Sequence, residues 1–321
     1  MPTAQVPRGA GTEIFVKEQS DFKTAATGNY QTTAAYSWPV QEEQPDEDDP
    51  LLGATKNNTR DAIEPAPGSP TLSGQPVVPL DFSLIGIWLK ALLGSPETTG
   101  DDGDYEHVFE SGQVVLPELT VERKMARASG SIFLQHRGIM VDQMTLQASR
   151  QAGYARATLS VVGYGEFGLS ASAAGTPAAL PTRDPIAAAL GIYKIDTVSA
   201  ALLECSLTYA NNLQPREEIG DARLAGFDIG DASLTGSIRL RIRDRTIYDA
   251  AADGTLHAGE MLWQKSATRS LSWAMPKVKL QKTGLPNEGP GFIDQTFNLR
   301  CHQDASAPML TATLKSAIAA F

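Results

Sequence analysis

Two stretches decide how this chain is read: GIMVDQMTLQAS (138–149) and GFIDQTFNL (291–299). In each, an apolar pair (Met140-Val141, Phe292-Ile293) precedes Asp-Gln (Asp142-Gln143, Asp294-Gln295), and apolar and polar residues then alternate at the period of a strand. The two aspartates lie 152 residues apart, and the same 23 residues separate Leu119 from Asp142 and Leu271 from Asp294. Further upstream, Thr71-Leu72-Ser73-Gly74 matches Ser233-Leu234-Thr235-Gly236, and Gly94 and Gly254 follow at intervals of 20 and 18 residues. Four landmarks in the same order point to one unit used twice.

Around these landmarks the pattern is that of strands, at Glu13–Lys17, Val114–Leu116, Leu119–Arg123, Ile132–His136, Met140–Gln147, Ala155–Val162, Ala201–Tyr209, Ile238–Arg243, Leu271–Ala274, Val278–Gln281 and Ile293–Arg300. Leu84, Ile85, Trp88, Leu89 and Leu92 share one helical face behind Asp81, with Gly94 as the stop. The expected fold is mainly β: two tandem β-sandwich or barrel domains, each with a short flanking α-helix. The expected divisions are an extended arm and first strand over 1–35, a first domain over 36–167, a linker over 168–191 and a second domain over 192–321. The linker reading rests on GLSASAAGTPAALPTRDPIAAALG, dense in Ala, Ser, Gly and Pro. QEEQPDEDDP (41–50) and Glu97–Glu110, with its Gly-rich middle TTGDDGD (98–104), read as exposed acidic loops.

The search for chemistry finds little. Cys205 and Cys301 are the only cysteines, far apart and in no metal-binding spacing, so they read as buried thiols. The four histidines are scattered without ligand spacing, and no cofactor or metal is expected. A net charge of -10 disfavours tight nucleic-acid binding, yet like charge would keep a polyanion from adhering to a wall. Gly163-Tyr164-Gly165-Glu166-Phe167-Gly168 is a literal G-x-G-x-x-G, but a dinucleotide site needs a helix opening at these glycines, and LSASAAGTPAALP is a poor helix. It reads as a glycine turn ending a strand. MPTAQVPRGAGTEIF has no apolar signal-peptide core, and Phe82–Gly94 is too short to span a bilayer, so the expectation is a protein made and kept inside a cell. Arg239, Arg241, Arg243 and Arg245 alternate with apolar residues in IRLRIRDR, placing a cationic stripe on one strand face. That stripe is a candidate subunit interface, with the acidic loops as partners of opposite sign.

Read together, the arm TEIFVKEQSDFKT, the strand-helix VVPLDFSLIGIWLKALLG, HVFESGQVVLPELTVERK leading into GIMVDQMTLQAS, and in the second half NNLQP, SLTGSIRLRIRD, SLSWAMPKVKL and GPGFIDQTFNL resemble the tail tube (major tail) proteins of long-tailed, non-contractile phages. The resemblance spans most of the chain. It implies a structural virion protein, not an enzyme, that self-assembles into stacked rings around a channel for the genome. It also implies other tail proteins, such as tape measure and terminator, as partners, and assembly in the host cytoplasm. With two units per chain, three chains would complete a ring of sixfold appearance. A β-sandwich binding or adhesion module and, more remotely, a dinucleotide-dependent enzyme using Gly163 to Gly168 are the competing readings.

Overall fold

The structure is a computed structural model that describes residues 9–47, 53–127, 130–150, 153–196, 198–199, 202–242, 246–281, 284 and 293–321. Its sheets meet on one long strand, Ile132–Ser149. The first part of that strand pairs with Glu118–Met125 and Gly165–Leu169. The second part pairs with Arg156–Gly163 on one side and Leu202–Ala210 on the other. Gly138, at φ 62, sits where the partners change, and a side chain there would collide with Phe22. The ladder slips by one residue between Val141 and Gln143, leaving Asp142 as the extra residue of a β-bulge.

One sheet runs in the order Gln31–Thr33, Thr12–Gln19, Glu118–Met125, Ile132–Ser149 and Gly165–Leu169. The other starts at Val40–Glu43 and continues through Thr71–Gly74, Arg156–Gly163, Ile132–Ser149, Leu202–Ala210, Ser233–Arg241 and Asp294–His302 to Arg269–Leu280. Arg269–Leu280 then branches. Along one edge it carries His257–Ser266, which in turn pairs with Gly191–Ile195. Along the other it carries Thr311–Ser316, which pairs with Asp104–Glu110. All these ladders are antiparallel, and the chain is mainly β, of the sandwich or barrel class, with two α-helices among the described residues.

Period-two burial explains the strands. In Asp294–His302, Gln295, Phe297, Leu299 and Cys301 point in while Thr296, Asn298 and Arg300 point out. Both cysteines are buried and free, and burial pushes each thiol up to about 12. One continuous core joins residues of both halves, from Ile14 and Val16 through Trp88, Trp263 and Trp273 to Leu314.

Helix α1 (Ile85–Leu93) forms where its apolar spacing placed it, with Gly94 at φ 91 beyond its end. Asp81 is fully buried, but its carboxylate accepts from the Ser83 and Asp184 N–H groups rather than from the helix. Its carbonyl oxygen takes the Leu84 and Ile85 N–H groups instead. Helix α2 (Thr246–Asp253) ends before Gly254, at φ 71. Each half carries one helix among its strands, but the element order is not the same: 71–74, 77–79, α1, 97–101, 104–110, 118–125, 132–149 and 156–163, against 233–241, α2, 257–266, 269–280, 294–302 and 311–316. The ladder partners do not recur. Thr71–Gly74 pairs with Arg156–Gly163, whereas Ser233–Arg241 pairs with Asp294–His302.

Several expectations are corrected. TTGDDGD is no loop but part of a hairpin, Glu97–Asp101 with Asp104–Glu110, whose turn places Asp102 at φ 47 and Gly103 at φ 85. Two successive positive φ angles make the turn that matches strand twist, and Asp-Gly is its preferred dipeptide. Part of 41–50 is strand: Val40–Glu43 pairs with Thr71–Gly74 and Asp46–Glu47 with Ala66–Pro67, while 48–50 lie outside the described residues. Val114–Leu116 is not a strand, and Val114 and Val115 stand 85% and 77% exposed. No helix follows Gly163: that residue closes one strand and Gly165 opens the next.

Asn211 joins these parts. It is buried, and its amide donates to the carbonyls of Leu92, at the end of α1, and Val141, at the bulge. Asp142 returns the contact, its carbonyl accepting from Asn211 N–H and its carboxylate from Leu213 N–H. Asn211→Ala strands two buried carbonyl oxygens and is expected to cost about 1–3 kcal/mol, read as a lower urea midpoint at unchanged slope. Exposed Gln41→Ala should stay within about 0.5 kcal/mol in the same assay.

Candidate assembly surfaces

The arginine stripe begins on Ser233–Arg241, whose Leu234, Ile238 and Leu240 are buried while Arg239 is exposed and Arg241 half-exposed. The neighbouring strand supplies Asp294 directly across from Arg241. Arg241 Nε donates to Asp294 Oδ1 at 2.9 Å, and Arg239 Nη2 reaches Oδ2 at 3.4 Å. The Arg241 hydrogen bond holds the Asp294 carboxyl below the usual range, and the guanidinium is pushed up in return. Arg243 and Arg245 lie outside the described residues. The two Asp-Gln landmarks therefore do different work: Asp142 bonds backbone in a bulge, and Asp294 anchors arginines. Gln143 faces Ser160 and Ala210 in the ladders, and Gln295 is buried opposite Leu240.

The acidic hairpin is the second surface. All five residues of Glu97–Asp101 are exposed, and among the described residues this strand pairs only with Asp104–Glu110. Glu97, Asp101 and Asp102 face solvent. The inner strand is tied down by cations distant in sequence: Glu106 pairs with Lys315 at 3.0 Å, and Arg269 reaches Asp104 Oδ1 at 3.4 Å and the Gly103 carbonyl at 3.3 Å. Arg269 also meets Asp184 at 3.4 Å, to which Lys265 is bonded.

The Gly163–Gly168 segment forms a polar junction. Gly163 and Gly165 leave no room for side chains, against Ile139 and Leu72 in one case and Glu42 and Arg223 in the other. Trp38 Nε1 donates to His136 Nδ1 at 3.2 Å, so the imidazole proton sits on Nε2 and is donated to Glu166 Oε2 at 2.8 Å. Arg123 Nη2 meets the same oxygen at 3.2 Å. Arg223 grips Glu42 with both terminal nitrogens, at 2.6 and 2.8 Å, and Glu42 Oε2 also accepts the Glu166 N–H at 2.7 Å. Tyr164 and Phe167 stack, with Arg137 4.1 Å and Arg223 5.2 Å from the Phe167 ring.

Burial pushes the His136 imidazole down despite Glu166, keeping it neutral. Glu166 is held low by the His136 hydrogen bond against its own burial, with Arg123 adding to the effect. Burial would raise Glu42, but Arg223 and the Glu166 N–H outweigh it. Sequence reasoning missed this cluster, since Glu42, Arg123, His136, Glu166 and Arg223 share no local spacing. The two bare glycines beside aromatic residues were its one readable trace.

A family model described as phage tail tube protein matches residues 9–301, from the arm to the buried Cys301. The chain belongs to the phage tail tube protein family. It is accordingly a structural component of the virion tail. No curated protein matches the chain. For this tail tube family member, the matched span takes in the acidic hairpin, the junction and both helices, while the strand Thr311–Ser316 lies beyond it. No described helix is long and apolar enough to cross a membrane.

Two histidines give opposite pH dependences. His136 is lowered on folding by burial, so below its unfolded pKa, about 6.5, the unfolded chain binds more protons and stability falls until pH passes the folded pKa. His257 is raised, chiefly by its bond to Asp196 at 2.9 Å, and its contribution is present below about pH 6.5 and lost as pH rises through the folded pKa. Urea unfolding between about pH 7.5 and 5 should therefore show a smaller acid-side loss in His136→Gln than in wild type, and a larger one in His257→Gln.

Proposed function

We propose that this chain polymerises into stacked rings that form the phage tail tube and that the genome passes through the lumen without specific binding. The observation that carries the reading is the family match over 9–301, on a β fold that presents an exposed acidic edge strand and an arginine-bearing strand face. Tape measure and terminator proteins are the further tail partners, and assembly takes place in the host cytoplasm. The protein works by geometry and charge, without catalysis.

Each chain contributes two tube-type units, over 36–167 and 192–321, joined by 168–191, and three chains complete a pseudo-sixfold ring. The equal spacing of Leu119 to Asp142 and Leu271 to Asp294, with one helix in each half, supports duplication. Because the halves exchange strands, Thr311–Ser316 lying against Asp104–Glu110, the two units would move as one body and fix their spacing around the ring. Arg239, Arg241, Arg243 and Arg245 face the acidic hairpin of a neighbouring copy, an attraction that steers assembly and weakens with salt.

Electron microscopy of the purified chain should show rings or tubes with a central channel and three chains per ring. A monomer at every concentration would overturn polymerisation, and six identical chains per ring would overturn the copy number alone. Reversing Arg239, Arg241 and Arg243 to Glu should raise the concentration needed for tubes by at least about tenfold, a change of roughly 1.4 kcal/mol. Normal tubes from that variant would remove the stripe from the interface.

A further inference from the structure

The sheet built on Thr12–Gln19 and Glu118–Met125 buries Ile14, Val16, Leu119 and Val121 in the main core. Its opposite face should meet water, yet Phe15, Thr120, Glu122 and Gln135 on that face are also buried. The cover is the Ala-, Ser- and Gly-rich run from Ser172 to Ala178. Phe15, Tyr30 and Ala174 form a small second core beneath it, separate from the main one.

Hydrogen bonds, more than apolar area, hold this run in place. Ala174 is its one buried residue, and its other residues are exposed or half-exposed. Glu122 Oε1 accepts from Ser172 Oγ at 2.6 Å and Oε2 from Ala173 N–H at 2.8 Å. Tyr30 exchanges backbone bonds with Ala174 and Ala178, and Thr176 N–H reaches Asn29. Glu122 is fully buried, and no ion pair reaches it among the described residues. The nearby Arg137 is turned to Gln135 at 2.8 Å and to the face of Phe167. A buried carboxylate without a cation is costly, and opening its cover returns it to water.

We propose that residues 172–178 are a strap that opens as a unit while the sheet beneath stays folded, with the buried charge of the Glu122 carboxylate biasing it towards the open state. Closed, the strap hides Phe15 and Tyr30; open, it bares them and hydrates Glu122. The lost strap contacts and the regained hydration of the carboxylate oppose each other, so opening costs far less than unfolding the sheet. The device belongs to the single chain and does not depend on ring formation.

Hydrogen exchange of the full unassembled chain tests it. Amides of Ala173, Thr176 and Ala178 should exchange on the order of a hundredfold faster than those of Leu119 to Val121. Glu122→Gln removes the buried charge while keeping one acceptor for Ala173 N–H and a donor for Ser172 Oγ. It should slow strap exchange by about tenfold and leave strands 118–125 unchanged. Strap amides as protected as the sheet would overturn the proposal. So would a folded Glu122→Gln protein whose strap exchanges at the wild-type rate or faster.

Discussion

The fold depends on a single strand being shared by two sheets. Ile132–Ser149 must satisfy backbone partners on both edges along nearly its whole length, and those partners differ in its two parts. A strand cannot change sheets without bending, and the bend here is built from Gly138, which tolerates a positive φ, and from the extra residue Asp142. The bulge leaves polar groups out of register. Asn211 and Asp142 satisfy them reciprocally, and the same Asn211 amide closes the end of helix α1. A turn in the second half of the chain thus secures a helix in the first.

The same interdependence organises the charges. A chain with ten more acidic than basic groups has to distribute its few cations, and it does so over long sequence separations. Arg269 bridges the acidic hairpin and Asp184, Arg223 closes on Glu42, and Lys315 on Glu106. Most of these pairs are partly exposed, where each is worth little alone. Their effect is positional: they hold the turn and inner strand of the acidic hairpin and leave Glu97, Asp101 and Asp102 for solvent or a partner. At the Glu166 junction the groups are more deeply buried, so protonation states and packing are coupled there.

Much of this was readable one residue at a time. The apolar spacing of Ile85, Trp88, Leu89 and Leu92 placed helix α1 correctly because a 3.6-residue period is a local property. Alternation, read at Ile238–Arg243, found the last part of Ser233–Arg241, and it placed the strand after Asp294. The hairpin at 97–110 was legible in Asp102-Gly103, but the density of glycine and acid around that dipeptide reads equally as a loop. Val114-Val115 erred the other way: two β-branched residues favour a strand, yet no ladder takes them, and they end exposed.

The sequence by itself determined the β class, the two helices, the outward-facing Arg239 and the family, because period, composition and motif order are written locally or in sequence. Tertiary structure alone decided that Asp142 fills a bulge while Asp294 binds arginines, and that Glu166 meets His136. It alone set a buried Glu122 under an alanine-rich strap. Those outcomes depend on which strands become neighbours. Neighbours in these sheets are set by how a shared core closes around Trp88, Trp263 and Trp273, and no residue carries that information in its own surroundings along the chain.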